Sequence, residues 1–153
     1  MSQIEAVTDL ILEVFRLNGA LVHAGDTLVA GIGLTSARWQ VLGAIALAAQ
    51  PLSVAGIART MGLSRQAVLR LTKEMVADGL LRLADNPHHR RARLVLMTPA
   101  GETAFGTAMA RHRPWAEKLA GALDRDTLNA ASALLRGLRQ HLETQRMDEV
   151  NDD

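Results

Sequence analysis

SVAGIARTMGLSRQAVLRLTKEMVADGL, Ser53 to Leu80, is the stretch on which the reading of the fold turns. Its spacing predicts two short helices joined by a tight turn. Helices that cross steeply need a small residue where they touch, a glycine free to take positive φ in the turn, and an apolar residue in the second helix. Ala58, Gly62 and Val68 meet these needs in order. Ser53 caps the first helix, which buries Val54, Ile57, Ala58 and Met61 before Gly62 stops it. Ser64 caps the second, whose inward stripe is Val68, Leu71, Met75 and Val76. Arg65, Gln66, Leu69, Arg70 and Lys73 project the other way. Such a face suits the major groove of DNA: Arg reads guanine, Gln reads adenine and Lys holds phosphate. A basic outward face is also commonly just a solvated one, and helix-turn-helix spacing arises by chance in helical proteins, so the flanking sequence has to decide.

The chain has 153 residues, enough for one domain or two small ones. Its 48% hydrophobic content is high for a soluble protein, which implies apolar surface buried between subunits. With no cysteine, disulfides, thiolate metal sites and thiol redox sensing are excluded. The N-terminal MSQIEAVTDLILEVF carries acidic residues where a secretory signal carries basic ones, so a cytoplasmic location is expected. Trp39 to Ala58 is free of charge, but Gln40, Gln50, Pro51 and Ser53 interrupt it, and it reads as two helices and a turn rather than a membrane span. Net charge is only +1, yet it is unevenly spread. Between Pro51 and Thr98 eight basic residues stand against three acidic ones, while the remainder has nine basic and thirteen acidic. A basic centre between acidic flanks is the electrostatic footprint of a DNA-facing lobe on a separate assembly platform.

Before this centre, Ile4, Val7, Leu10, Ile11, Val14, Phe15, Leu21 and Val22 recur at helical spacing and predict a long first helix with a broad apolar face. Gly25 to Leu34 reads as a loop, and Thr35 or Ser36 caps a helix carrying Trp39, Leu42, Ile45 and Ala46 that ends at Gln50 and Pro51. After the centre, Leu80 to Ala84 and Arg93 to Met97 are strand-like runs separated by DNPHHRRA, a hairpin turned by Asn86 and Pro87. His88, His89, Arg90 and Arg91 stand at its tip. A hairpin directly after a recognition helix is a wing, and an arginine at its tip suits the minor groove. Thr98 and Pro99 start a helix with the stripe Phe105, Ala108, Met109, His112, Trp115, Leu119 and Leu123, which Pro114 should kink or split. Leu128, Ala131, Leu135, Leu138 and Leu142 form a short a/d seam, and the tail from Asp148 is expected to fray.

One small winged domain cannot cover this much apolar surface, so a homodimer is expected, with two recognition helices set over a palindromic site. No catalytic constellation is present. His23, His112 and His141 are scattered, and there is neither a glycine-rich phosphate loop nor an H-E-x-x-H pattern. The pair His88 and His89 is a poor metal site, and no cofactor is expected. RNA binding is disfavoured because Phe15, Trp39, Phe105 and Trp115 all lie outside the basic segment. The remaining rival is a winged-helix module for protein partners.

At three points the chain resembles the MarR-type winged-helix transcriptional regulators: LTSARWQVL at residues 34 to 42, PLSVAGIARTMGLSRQAVLRLTKEMVADGLL at 51 to 81, and RARLVLMTPAG at 91 to 101. The resemblance implies a mainly α fold, a single domain over 1–153 with a winged helix-turn-helix lobe at 35–98 and a dimerisation region from 1–24 and 99–147. It implies a dimeric repressor of nearby genes that leaves DNA when a small molecule, often an aromatic acid, binds between the dimer and DNA lobes. By position, Ser64, Arg65, Gln66 and Arg70 resemble the base- and phosphate-contacting residues. Arg91 resembles the wing arginine, with Lys73, His89 and Arg90 completing the basic set. The family usually has an aspartate two positions before the wing arginine, and here it is His89. With His88 and His89 in the wing, DNA affinity is expected to rise as pH falls from about 7.5 to 6. His23, Trp39, Met109 and His112 are the candidate effector-binding residues.

Overall fold

The computed structural model describes residues 1–151. The chain divides into two units, Met1–His112 and the segment from Arg113 on. Helix α1, Gln3–Leu28, opens on a capping box: the Ser2 hydroxyl accepts from the Glu5 N–H, and the Ser2 N–H donates to Glu5 Oε2 at 2.6 Å. These Ser2 bonds, the backbone one foremost, hold the Glu5 carboxyl below the usual range.

The loop expected from Gly25 begins only at Val29, because α1 runs on to Leu28 with Gly25 buried inside it. Packing is the cause. A Cβ on Gly25 would run into the Ser36 side chain, which sits against α1. The Ser36 hydroxyl donates to Val22 O at 2.6 Å, and the Ser36 N–H to Asp26 Oδ1 at 2.7 Å. Gly31 and Gly33, by contrast, take the positive φ that a loop uses.

Thr35 caps α2, Ser36–Leu47, which stops before the expected Gln50. A two-residue strand follows, β1 (Leu52–Ser53), too short to leave a sequence pattern and absent from the expectations above. Helix α3 is Val54–Met61, capped by Ser53 and closed by Gly62 at φ 67°; α4 is Arg65–Ala77, capped by Ser64. Strands β2 (Leu81–Ala84) and β3 (Leu94–Met97) pair antiparallel with Leu81 opposite Met97. β1 adds to the free edge of β3, Leu52 opposite Val95, so the sheet order is β1-β3-β2.

The uncharged run from Trp39 is thus shared among α2, β1 and α3, and among the described residues no helix is long and apolar enough to cross a membrane. The core lies within the winged lobe: Val41, Leu42, Ile57, Val68, Met75, Leu81 and Val95 are almost wholly buried, and Ala104 and Ala108 of α5 pack on them. Helix α5, Pro99–Ala120, passes through Pro114 without a break, so the proline does not split it. Its start is pinned by Thr98, whose hydroxyl donates to Gly79 O at 2.6 Å and accepts from the Gly101 N–H. Arg111 of α5 donates to Leu28 O, the last carbonyl of α1, and to Ala30 O in the loop that follows.

Helix α6, Arg125–Asn151, is introduced by Asp124, whose carboxylate accepts from the Thr127 N–H at 2.9 Å and the Thr127 hydroxyl at 3.0 Å. The backbone bond first, then the hydroxyl, lowers the Asp124 pKa. The helix runs past the Asp148 at which fraying was expected; Asp152 and Asp153 lie outside the described residues.

Candidate nucleic-acid interface

Helix α4 is amphipathic in the manner its sequence implies. Val68, Leu71 and Met75 are buried, whereas Ser64, Arg65, Gln66, Leu69, Arg70 and Lys73 are exposed. The Ser64 hydroxyl accepts from the Ala67 N–H at 3.1 Å, which fixes the first turn and so the positions of Arg65 and Gln66. Thr72, absent from the expected inward stripe, is buried, and its hydroxyl has no hydrogen-bond partner among the described residues. A short polar side chain gives no apolar signal, so periodicity passes over it.

The hairpin stands beside this helix with its tip stapled by one side chain. Asn86 Nδ2 donates to Ala92 O at 2.8 Å, and its Oδ1 accepts from the His88 N–H at 3.0 Å. The sequence marked Asn86 as a turn former; the structure adds that it ties the two sides of the tip together. His88, His89, Arg90 and Arg91 are all exposed.

Between helix and hairpin lies a cavity of about 460 Å³, with Arg65 and Lys73 on the α4 side, Arg91 and Arg93 on the hairpin side, and Leu69 and Thr72 among its lining. Arg93, which the sequence reads as the first residue of a strand, joins this lining because the strand begins only at Leu94. Four cations around a partly apolar groove admit phosphate at the rim and the edge of a base, or its methyl group, inside.

The carboxylates of α4 are answered by cations. Arg70 Nη1 lies 3.0 Å from Glu74 Oε1, and Arg38 of α2 reaches both Asp78 and Glu74, at 2.8 Å and 3.6 Å. Arg38 lies within LTSARWQVL, but its partners are far along the chain and no local pattern announces them.

Of the four candidate effector residues, Trp39 and His112 meet edge to face with ring centroids 5.5 Å apart. His23 lies on α1 and Met109 is 42% exposed on α5, and that ring contact includes neither.

A capped two-helix unit followed by a hairpin with cationic sides defines a winged helix-turn-helix protein. Comparison with known proteins narrows the class. Residues 32–92 match the model of the MarR family. An uncharacterized protein of Mycobacterium tuberculosis (strain ATCC 25618 / H37Rv), Rv2011c, is 33% identical over 142 residues, covering 93% of this chain and 98% of that one. The transcriptional activatory protein BadR of Rhodopseudomonas palustris is 32% identical over 102 residues, 65% of this chain and 58% of BadR. Among solved structures, CouR from Rhodococcus jostii RHA1 bound to p-coumaroyl-CoA superposes with a TM-score of 0.75 at 23% identity, covering 85% of this chain and 91% of that one. The M. tuberculosis regulator MosR in complex with DNA gives a TM-score of 0.73 at 21% identity, covering 86% and 96%. The chain belongs to the MarR family of transcription regulators.

Proposed function

We propose that this chain is a sequence-specific regulator that binds double-stranded DNA as a homodimer over a palindromic operator. The observation that carries the reading is the shared cationic groove formed by Arg65 and Lys73 of α4 with Arg91 and Arg93 of the hairpin, beside the exposed Gln66 and Arg70. Ser64, Arg65, Gln66 and Arg70 enter the major groove, and Arg90 and Arg91, with His89, meet the adjacent minor groove and its phosphates. Lys73 holds phosphate. The neighbouring MosR structure, solved with DNA, supports this use of the shared fold.

Residues 35–98 act as the DNA lobe, and 1–24 with 99–147 as the dimerisation region. Supporting the second assignment, the stripe of α1 and the seam of α6 are each left uncovered by a single chain: Ile4 is 80% and Phe15 69% exposed, and Leu142 is 64% exposed. The protein works in the cytoplasm, represses nearby genes and is released by a small ligand, an aromatic acid or a derivative of one, near Trp39 and His112 with His23 and Met109. CouR, solved with p-coumaroyl-CoA, supports an aromatic ligand class.

The test is a binding assay with duplex DNA from the gene's own upstream region, titrated with salt and then with small phenolic acids. Tight binding that weakens steeply with salt, and is relieved by a phenolic acid, is the expected outcome. Affinity that ignores salt and sequence rejects the reading in favour of a module for protein partners, and a reporter gene that falls silent on deletion of the regulator rejects repression.

A further inference from the structure

Arg38, near the start of α2, makes contacts that none of its immediate neighbours supplies. Its side chain is 18% exposed; Nη1 donates to Gly33 O at 3.1 Å and to Asp78 Oδ2 at 2.8 Å, and Nη2 lies 3.6 Å from Glu74 Oε2. Both carboxylates belong to α4 and its cap, the helix whose outer face carries Arg70. Asp78 is the C-cap of that helix, where negative charge meets the negative end of the dipole. Glu74 sits one turn beyond Arg70 and holds its guanidinium at 3.0 Å. Left to themselves, these two acids would weaken the end of α4 and repel an approaching phosphate, and Glu74 would keep Arg70 for itself.

We infer that Arg38 is a positioning residue for DNA reading, acting through Glu74: by engaging Glu74 and Asp78 from α2 it shares out the charge of Glu74 and leaves Arg70 free to exchange its carboxylate partner for DNA. The inference rests on the DNA-binding reading above. An exposed ion pair of the Arg70–Glu74 kind is weak and easily exchanged, so a second cation on Glu74 is enough to shift its balance. Because Glu74 divides its two oxygens between Arg70 and Arg38, removal of Arg38 concentrates its full charge on Arg70.

The experiment uses a duplex that the wild-type protein itself selects from a random-sequence pool, with binding measured at several salt concentrations. Arg38→Ala is expected to weaken binding about tenfold, in the range of coupling between charged neighbours, with the log–log salt slope unchanged because no phosphate contact is lost. Adding Glu74→Gln to Arg38→Ala should restore affinity to within about threefold of wild type. A purely structural pin between α2 and α4 would not be rescued that way, since the neutral amide introduced by Glu74→Gln supplies nothing in place of the missing arginine. In an Arg70→Ala background, Arg38→Ala should cost less than about twofold more.

A double variant as weak as Arg38→Ala alone, or an equal loss with and without Arg70, overturns the inference. Should Arg38→Ala lose its helical circular dichroism, Glu74→Gln alone carries the test. It should tighten binding about threefold when Arg70 is present and not when Arg70 is replaced by alanine, and an equal gain in both overturns the idea. A wild-type protein that selects no duplex sinks the DNA-binding reading and this inference with it, an outcome read on wild type before any variant is made.

Discussion

At position 25 the absence of a side chain lets α1 and the start of α2 touch. Ser36 closes on the Gly25 backbone and hydrogen-bonds to Val22 O one turn earlier, so a methyl group there has to displace a buried, bonded serine. Gly25→Ala is therefore expected to destabilise the fold by about 1–3 kcal/mol in denaturant unfolding, the usual cost of overpacking. Gly62 is constrained differently: its φ of 67° is the left-handed region, and alanine there costs about 1 kcal/mol with no clash at all. The sequence identified the role of Gly62 through its place after a capped apolar run, but read Gly25 as loop, because close approach depends on a residue that arrives only when the chain turns back. Arg70 carries a prediction of the opposite kind. With 68% of its side chain exposed and Glu74 as its ion-pair partner, Arg70→Ala should leave the thermal midpoint nearly unchanged. Operator affinity should fall by about 1–3 kcal/mol if Arg70 reads a base. Unchanged affinity in a titration against the operator duplex rejects that role.

Among the elements, the wing depends on Asn86. Its amide spans the tip from the His88 N–H to Ala92 O, while the side chains of His89 and Arg91 make no hydrogen bond or ion pair among the described residues. The tip is thus held by the Asn86 side chain on the backbone around it rather than by an acid beside Arg91, in keeping with His89 at the position where the resemblance implied an aspartate. Asn86→Ala should loosen the tip and weaken operator binding several-fold while melting stays within a few degrees of wild type; wing amide exchange rates and DNA titration check both halves. Helix α6 has a start that depends on pH. Thr127 holds the Asp124 carboxyl below the usual range, so its cap is fully present above the ordinary carboxylate pKa and is lost as pH falls through the lowered value of the folded state. Lowering pH from about 6 to about 2 should reduce the protection of the Thr127 amide relative to a free amide at the same pH, and Asp124→Asn should abolish that change in protection. The caps at Ser53, Ser64 and Gly62 were all legible, since each acts within three or four residues of its own position. Strand β1 was not, because two residues become a strand only when β3 lies alongside.

For the whole molecule, the question is what covers the apolar stripes of α1 and α6. A second copy of the chain is the proposed answer, and Phe15→Glu or Leu135→Glu should give a monomer by light scattering, each charge being placed on surface that a partner would bury. Operator affinity should then fall by more than about a hundredfold, because one half-site alone no longer gains from its neighbour. A dimer that survives both substitutions refutes the proposed interface. The helix-turn-helix, its caps, the hairpin that follows and the basic face of α4 are legible in the amino-acid order, because all of these rest on hydrogen bonds and apolar spacing within a few turns of chain. That Ser36 docks on Gly25, that β1 joins the hairpin, that Arg93 shares a groove with Arg65, and that Arg38 reaches Glu74 and Asp78 emerges only once the chain has folded. Each of these contacts joins residues from different elements, and a local pattern holds no information about a neighbour that folding alone brings near.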